Sequence, residues 1–157
     1  MNLLLRLKLV GTLFLCCLHP CFSQQSSIVV WSTQVERISP HEGRLIITAQ
    51  MLPEWHLYSQ HLKEGGPQPT RFEFAENSSY QLSRFDEKGK PHTYHDDVFE
   101  MDITWYSERV SFIANFKLTE PVSVLKGTIE YMTCNNDTCV PEKKELVIPI
   151  DLTKPTR

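Results

Sequence analysis

Two cysteines lie five positions apart late in the sequence, Cys134 and Cys139, enclosing Asn135, Asn136, Asp137 and Thr138. Three of the four enclosed residues are Asn or Asp, the composition of a tight turn. A disulfide across that turn would close a small ring at a hairpin tip. Loop-closure entropy for so few residues contributes roughly 2 kcal/mol at most, before strain is subtracted. A short ring also limits how well two sulfurs reach their preferred geometry, and a strained bridge is easier to reduce. Spacing leaves three chemistries open: thiol–disulfide exchange, an inert structural clip in a protein-binding module, and soft-metal ligation.

Metal ligation would draw on His41, His56, His61, His92 and His95 beside the thiols. Thiolate with imidazole suits copper or zinc, the chemistry of a Cys/His copper-binding chaperone. The histidine spacings match no tight ligand signature, so no metal and no cofactor are expected. The sequence carries no nucleophile elbow, phosphate loop or HExxH run. The adjacent Asp96 and Asp97 read as loop charge rather than as a catalytic pair. Two glycosylation sequons, at Asn77 and Asn136, have meaning only in a eukaryotic secretory pathway.

The elements that must position the cysteines follow a period of two. Leu45, Ile47, Ala49 and Met51 share one strand face. Phe112, Ala114, Phe116 and Leu118 share another, and Leu146, Ile148, Ile150 and Leu152 a third. Further strands are expected in residues 28–38, 70–74, 80–85, 100–106 and 122–132. Turn-forming residues separate them at 40–43, 65–67, 76–79 and 87–90. No stretch of ten residues after the leader keeps a helical stripe. This pattern predicts an all-β, immunoglobulin-like β-sandwich. The inter-sheet disulfide usual in such sandwiches needs cysteines far apart in sequence, so this pair has another role. Residues 55–61 and 90–99 are dense in aromatic, imidazole and carboxylate groups and read as functional loops.

The first 23 residues differ from the rest. Arg6 and Lys8 precede an uncharged run from Leu9 to Leu18, and Cys21 and Ser23 occupy the small-residue positions of a cut after Ser23. This reads as a secretory signal peptide, residues 1–23, with a single domain at 24–157. Ten apolar residues are too few for stable membrane insertion. Bulky His19 and Pro20 disfavour Cys21 as a lipid-anchoring site. Cleavage removes three of the five cysteines and leaves 14 basic against 19 acidic residues, a net charge near −5. That balance gives no reason to expect nucleic acid as a partner. Export places the surviving pair in an oxidising compartment.

Residues 127–141, a strand leading into Cys134, the turn, Cys139 and Pro141, resemble the active-site hairpin of the N-terminal domain of DsbD, the periplasmic thiol:disulfide interchange protein. Trp55, His56, Leu57, Tyr58 and Ser59 resemble that family's aromatic strand, and the resemblance spans roughly residues 28–152. It implies an immunoglobulin-like sandwich in the periplasm whose cysteine pair carries two electrons to and from other exported oxidoreductases. It implies Cys139 as the cysteine that forms the mixed disulfide and Cys134 as the resolving thiol. It implies an aromatic cap over the pair, matched by residues 90–99, with Tyr94 the first choice of lid residue and Phe99 the second. Tyr58 matches the family's active-site tyrosine, and His56 stands where another tyrosine often lies. Asp137, inside the turn, is expected to disfavour a thiolate beside it. The turn is one residue shorter than in well-known proteobacterial members. No polytopic domain or thioredoxin-like C-x-x-C motif accompanies it in this sequence. The expected partners are therefore thioredoxin-fold periplasmic oxidoreductases and a membrane electron donor acting in trans.

Overall fold

A computed structural model describes residues 27–75 and 78–151. The proposed signal peptide, Leu152 and the Asn77 sequon lie outside the described residues. Nine strands follow in chain order: β1 (Val29–Arg37), β2 (Glu42–Met51), β3 (His56–Tyr58), β4 (Arg71–Phe74), β5 (Tyr80–Leu82), β6 (Asp86–Asp96), β7 (Met101–Leu118), β8 (Val124–Cys134) and β9 (Cys139–Pro149). There is no helix among the described residues, and so none long and apolar enough to cross a membrane.

All pairings are antiparallel and run along the path β1-β2-β7-β3-β8-β4. β5 and β6 add to β7, and β9 adds to β8. The short β3 bridges the two halves: Leu57 is opposite Tyr106 of β7 and also Thr133 of β8. The halves fold face to face as a sandwich. Phe112 of β7 lies 4.8 Å from Phe72 of β4, ring centre to ring centre, and Trp31 of β1 lies 5.1 Å from Tyr131 of β8. Leu45, Ile47, Phe112, Leu125, Ile129 and Ile148 fill the space between, each essentially without exposure. Leu45, Ile47, Phe112 and Ile148 are among the alternating residues to which the period-two pattern gave a shared face; Leu125 and Ile129 join them from β8.

Several local expectations change. Residues 100–106 and 110–118 belong to one 18-residue strand. The polar stretch between them hides the continuity, but Tyr106 and Val110 keep the same parity and both enter the core. Glu108 absorbs the irregularity at φ 60°. Residues 87–90 are not a turn but part of β6, which slips register between Gly89 and Pro91. Gly89 is there for close approach, since a Cβ would lie 3.0 Å from the Tyr106 ring. β9, expected over residues 145–152, starts six residues earlier, at Cys139. Its first half is an exposed edge strand bearing Glu142, Lys143 and Lys144, whose charges mask the strand pattern and blunt the edge.

Candidate functional site

Cys134 is the last residue of β8 and Cys139 the first of β9; they stand directly opposite, Cα to Cα 4.1 Å, and form a disulfide. The turn between them has its own hydrogen bonds. The Asn135 N–H donates to the Thr138 carbonyl at 3.0 Å. The Asn135 Oδ1 accepts from the N–H groups of Asp137 and Thr138, both at 2.9 Å. This is an Asx turn, the reason for Asn in first place. The two cysteines differ sharply in environment. Cys134 is 2% exposed, whereas Cys139 is exposed, as are Asn136, Asp137 and Thr138. A second protein can therefore reach the Cys139 end of the bridge and not the Cys134 end.

Strand register builds the surroundings. His56 of β3 is opposite Cys134 on one side and Ser107 of β7 on the other. Tyr58 is opposite Trp105, which in turn is opposite His92 of β6, and Tyr94 is opposite Ile103. Residues directly opposite each other share a face, as do residues two apart on one strand. One continuous face thus carries Cys139, Cys134, His56, Tyr58, Trp105 and Tyr94. It is the face turned away from the main core. Leu57 and Tyr106, between these positions, point inward instead. Tyr58, Ile103 and Cys134 form a small second core of their own, flanked by Leu62, Met101, Trp105 and Met132.

Aromatic contacts order this face. The Trp105 ring stacks on His92 at 4.4 Å and packs against His56 at 4.6 Å. His56 meets Tyr58 edge-on at 5.3 Å, with a long 3.5 Å contact between Nε2 and the phenol oxygen. Burial lowers the pKa of His56, so the ring is neutral at pH 7. Burial first, then the neighbouring Tyr94 and Asp96, raise that of Tyr58, which keeps its proton.

Residues 90–99, expected as a loop, are mostly strand: β6 and the start of β7 form a hairpin ending at residues 97–100. Its tip is tied by Asp96, whose Oδ1 accepts from the N–H groups of Val98 and Phe99 at 2.9 and 3.1 Å. The Tyr94 hydroxyl donates to Asp96 Oδ2 at 3.1 Å. Tyr94 is 46% exposed, stands opposite Ile103, and lines one cleft together with His56, Trp105 and Asn136. Phe99 is in the tip, 42% exposed, and makes no ring contact among the described residues. Residues 55–61 are also not simply a loop, since 56–58 form β3.

Trp105, Ile103 and Glu87 were not singled out by their sequence pattern. Trp105 joins the imidazoles to the cysteine hairpin, and pairing residues 100–106 with Tyr58 is the signal that would have found it. Glu87 accepts from Ser59 Oγ at 2.8 Å, from the Gln60 N–H at 2.7 Å and from the Tyr106 hydroxyl at 2.7 Å. It thereby fixes the chain leaving β3. No group of three or more His, Cys, Asp or Glu side chains among the described residues is arranged to hold a metal ion.

Comparison with known proteins agrees with this geometry. The family profile described as thiol:disulfide interchange protein DsbD, N-terminal, matches residues 24–150. No curated protein sequence matches. Among solved structures, the N-terminal periplasmic domain of ScsB from Proteus mirabilis superposes with a TM-score of 0.56 at 18% identity, over 84% of this chain and 49% of that one. The chain thus spans about half the length of that structure. The GGA1 GAE domain of yeast matches with a TM-score of 0.49 at 14% identity, over 81% of this chain and 96% of that one. The complex between the DsbD N-terminal and PilB N-terminal domains from Neisseria meningitidis gives a TM-score of 0.45 at 12% identity, over 74% and 80% of the two chains. The fold is the immunoglobulin-like sandwich expected from the sequence.

Proposed function

We propose that this chain, which belongs to the DsbD N-terminal domain family, is an exported thiol–disulfide exchange domain passing reducing equivalents between partner proteins through Cys134 and Cys139. The observation that carries this reading is the unequal burial of the two cysteines across a turn that holds its own hydrogen bonds. A partner meets Cys139, while Cys134 waits behind it, already in place to resolve.

In the reducing direction the Cys139 thiolate attacks one sulfur of a partner disulfide. The partner's S–S bond breaks, its other sulfur leaves as a thiolate that takes up a proton, and a mixed disulfide forms. The Cys134 thiolate then attacks Cys139 Sγ and releases the partner's remaining sulfur. The domain leaves oxidised and the partner reduced, by two electrons and two protons. Only thiolates attack, so access and ionisation of Cys139 set the rate. Tyr58 and His56 pack the buried side of the pair, Tyr94 on its tied hairpin stands opposite Ile103 of the second core, and Asp137 places a negative charge in the turn. Tyr94 is favoured over Phe99 as the shielding residue because it lines the cleft that reaches Asn136 of the cysteine turn.

The partners proposed are thioredoxin-fold periplasmic oxidoreductases, with a membrane electron donor recharging the pair in trans. Export through a signal peptide cut after Ser23 is supported by the leader's composition and by a family match that starts at residue 24. Trapping tests the chemistry. The reduced Cys134→Ala variant accumulates a mixed disulfide with a thioredoxin-fold partner, and Cys139→Ala does not; the reverse pattern, or none, removes the assignment. A reduction potential below about −300 mV would mark the bridge as an inert clip instead.

A further inference from the structure

Beside the cysteine hairpin lies a cleft of about 750 Å³ that the exchange steps leave unused. One wall is the chain from Gln50 to His56, the other is β7 with Tyr94 behind it. Leu52, Pro53, Trp55 and Trp105 make it largely apolar. Asn136, from inside the cysteine turn, closes one end. An occupant of this cleft would touch the loop that carries the exchanging sulfur.

Its charge is one-sided. The ionisable groups lining it are Glu54, Glu108, His56 and Tyr94, with no Lys or Arg. Glu54 and Glu108 are exposed and have no hydrogen-bond or ion-pair partner among the described residues. The four ion pairs among the described residues all lie elsewhere. His56, kept neutral by burial, offsets neither carboxylate. Tyr94 keeps its proton, because burial and its bond to Asp96 raise its pKa. Two free carboxylates beside Trp55 and the Tyr94 phenol form a surface that attracts a cation by charge and through ring faces, while the faces of Trp105 are taken by His92 and His56.

We propose that this cleft receives a cationic side chain, Arg or Lys, on the polypeptide whose disulfide exchanges with Cys139. The guanidinium or ammonium sits between Glu54 and Glu108, its stem lies along Leu52, Pro53 and Trp55, and the partner's disulfide is thereby presented at the turn. The inference rests on the exchange reading given above and names the kind of partner that site selects. Two exposed pairs and one ring contact correspond to a preference of about fivefold to tenfold for a basic over a neutral partner at low salt.

Two symmetrical disulfide peptides test it, (acetyl-Arg-Ser-Cys-amide)2 and (acetyl-Gln-Ser-Cys-amide)2. At low ionic strength the Arg peptide is expected to oxidise the reduced protein about fivefold to tenfold faster, and 0.5 M salt should erode that ratio. In the Glu54→Gln/Glu108→Gln double variant the ratio should fall to within about twofold of unity. Glu145→Gln, which removes one exposed charge from a different cleft, should keep it. Equal rates in the parent protein, or a ratio that survives the double variant, overturn the proposal. So does a ratio lost equally in Glu145→Gln, which would show net charge alone at work. If neither peptide reacts, the exchange reading has failed. The cleft is then read on the oxidised protein by tryptophan quenching with acetyl-Gly-Arg-Gly-amide against acetyl-Gly-Gln-Gly-amide. Selectivity for Arg that depends on Glu54 and Glu108 sustains the cleft, and its absence ends it.

Discussion

Reducing the disulfide is expected to leave the sandwich folded, and the magnitude follows from the size of the ring. Six residues from Cys134 to Cys139 close it. The chain-entropy relation gives about 2 kcal/mol of stabilisation for so short a loop. Most of what holds the hairpin does not involve sulfur. β8 and β9 stay in continuous register from Val124 opposite Pro149 to Cys134 opposite Cys139. The Asx turn supplies three more hydrogen bonds at the tip. The urea midpoint of the reduced protein should therefore fall by only about 1 M, given m-values of roughly 1–3 kcal/mol per M. A closed thermodynamic cycle carries the same quantity into the potential. About 2 kcal/mol corresponds to about 45 mV for a two-electron couple. The folded domain's potential should lie no more than that below the potential of the same chain in denaturant. Paired urea melts, oxidised against phosphine-reduced, and redox titrations in glutathione buffers with and without denaturant give two independent values that must agree. Reduction itself is the cleaner perturbation. Serine at position 134 would bury an unpaired hydroxyl, which adds a cost of its own of about 1–3 kcal/mol. A reduced chain that loses its β-sheet signal without denaturant, or gives up more than about 4 kcal/mol, would refute the argument and make the bridge a staple.

The remaining predictions test the parts around it. Tyr94→Ala and Asp137→Asn should each speed alkylation of the reduced protein, and Phe99→Ala should change it less; equal rates in all four proteins would remove the shielding role. Thr133→Val should stabilise the fold by about 1–2 kcal/mol in a denaturant melt, because Thr133 Oγ1 is buried without a partner beside Cys134. Phe112→Ala should cost about 3–5 kcal/mol by the same measurement, since that ring is fully buried between Trp31 and Phe72. His56 has a lowered pKa in the folded state, so the unfolded chain binds the extra proton first. Its contribution is present above about pH 6.5 and lost as pH falls through the lowered value. His56→Gln should flatten that part of the stability profile, and an unchanged profile would place the titration elsewhere.

The sequence made the sandwich legible because its core strands alternate cleanly, as Leu45 to Met51 and Phe112 to Leu118 do. It was least legible where strands carry charge or chemistry. The first half of β9 carries Glu142, Lys143 and Lys144 because it is an edge, and edges are written in polar residues. The residues from Lys90 to Asp96 read as a loop because none of them enters the main core and most are exposed, which erases the alternation of a half-buried strand. His92 stacks on Trp105 and Tyr94 stands opposite Ile103, so their types answer to the aromatic face beside the cysteines rather than to a turn. The cysteine pair was visible from type and spacing, and Tyr58 and His56 were singled out through the family resemblance. Trp105 was not, since it becomes a neighbour of those residues only through the register of β3 against β7.

The same register explains how exchange can be kept separate from folding. Along β8 the side chains divide by parity near the tip: Tyr131 and Thr133 turn to the main core, Met132 and Cys134 to the outer face. β3 repeats the division, with Leu57 inward and His56 and Tyr58 outward. A change at an outward position alters the surroundings of the sulfurs without opening the space between the sheets, and a change at an inward position does the reverse. Outward substitutions such as Tyr94→Ala should therefore move thiol reactivity at nearly constant stability, while inward ones such as Phe112→Ala should move stability at nearly constant reactivity of the folded state. Position 134 belongs to both accounts, because its side chain is at once a buried member of the second core and half of the bridge, and Tyr58 shares that core. Cys134→Ala is the variant in which the two effects must appear together, and finding one without the other would break the separation by face.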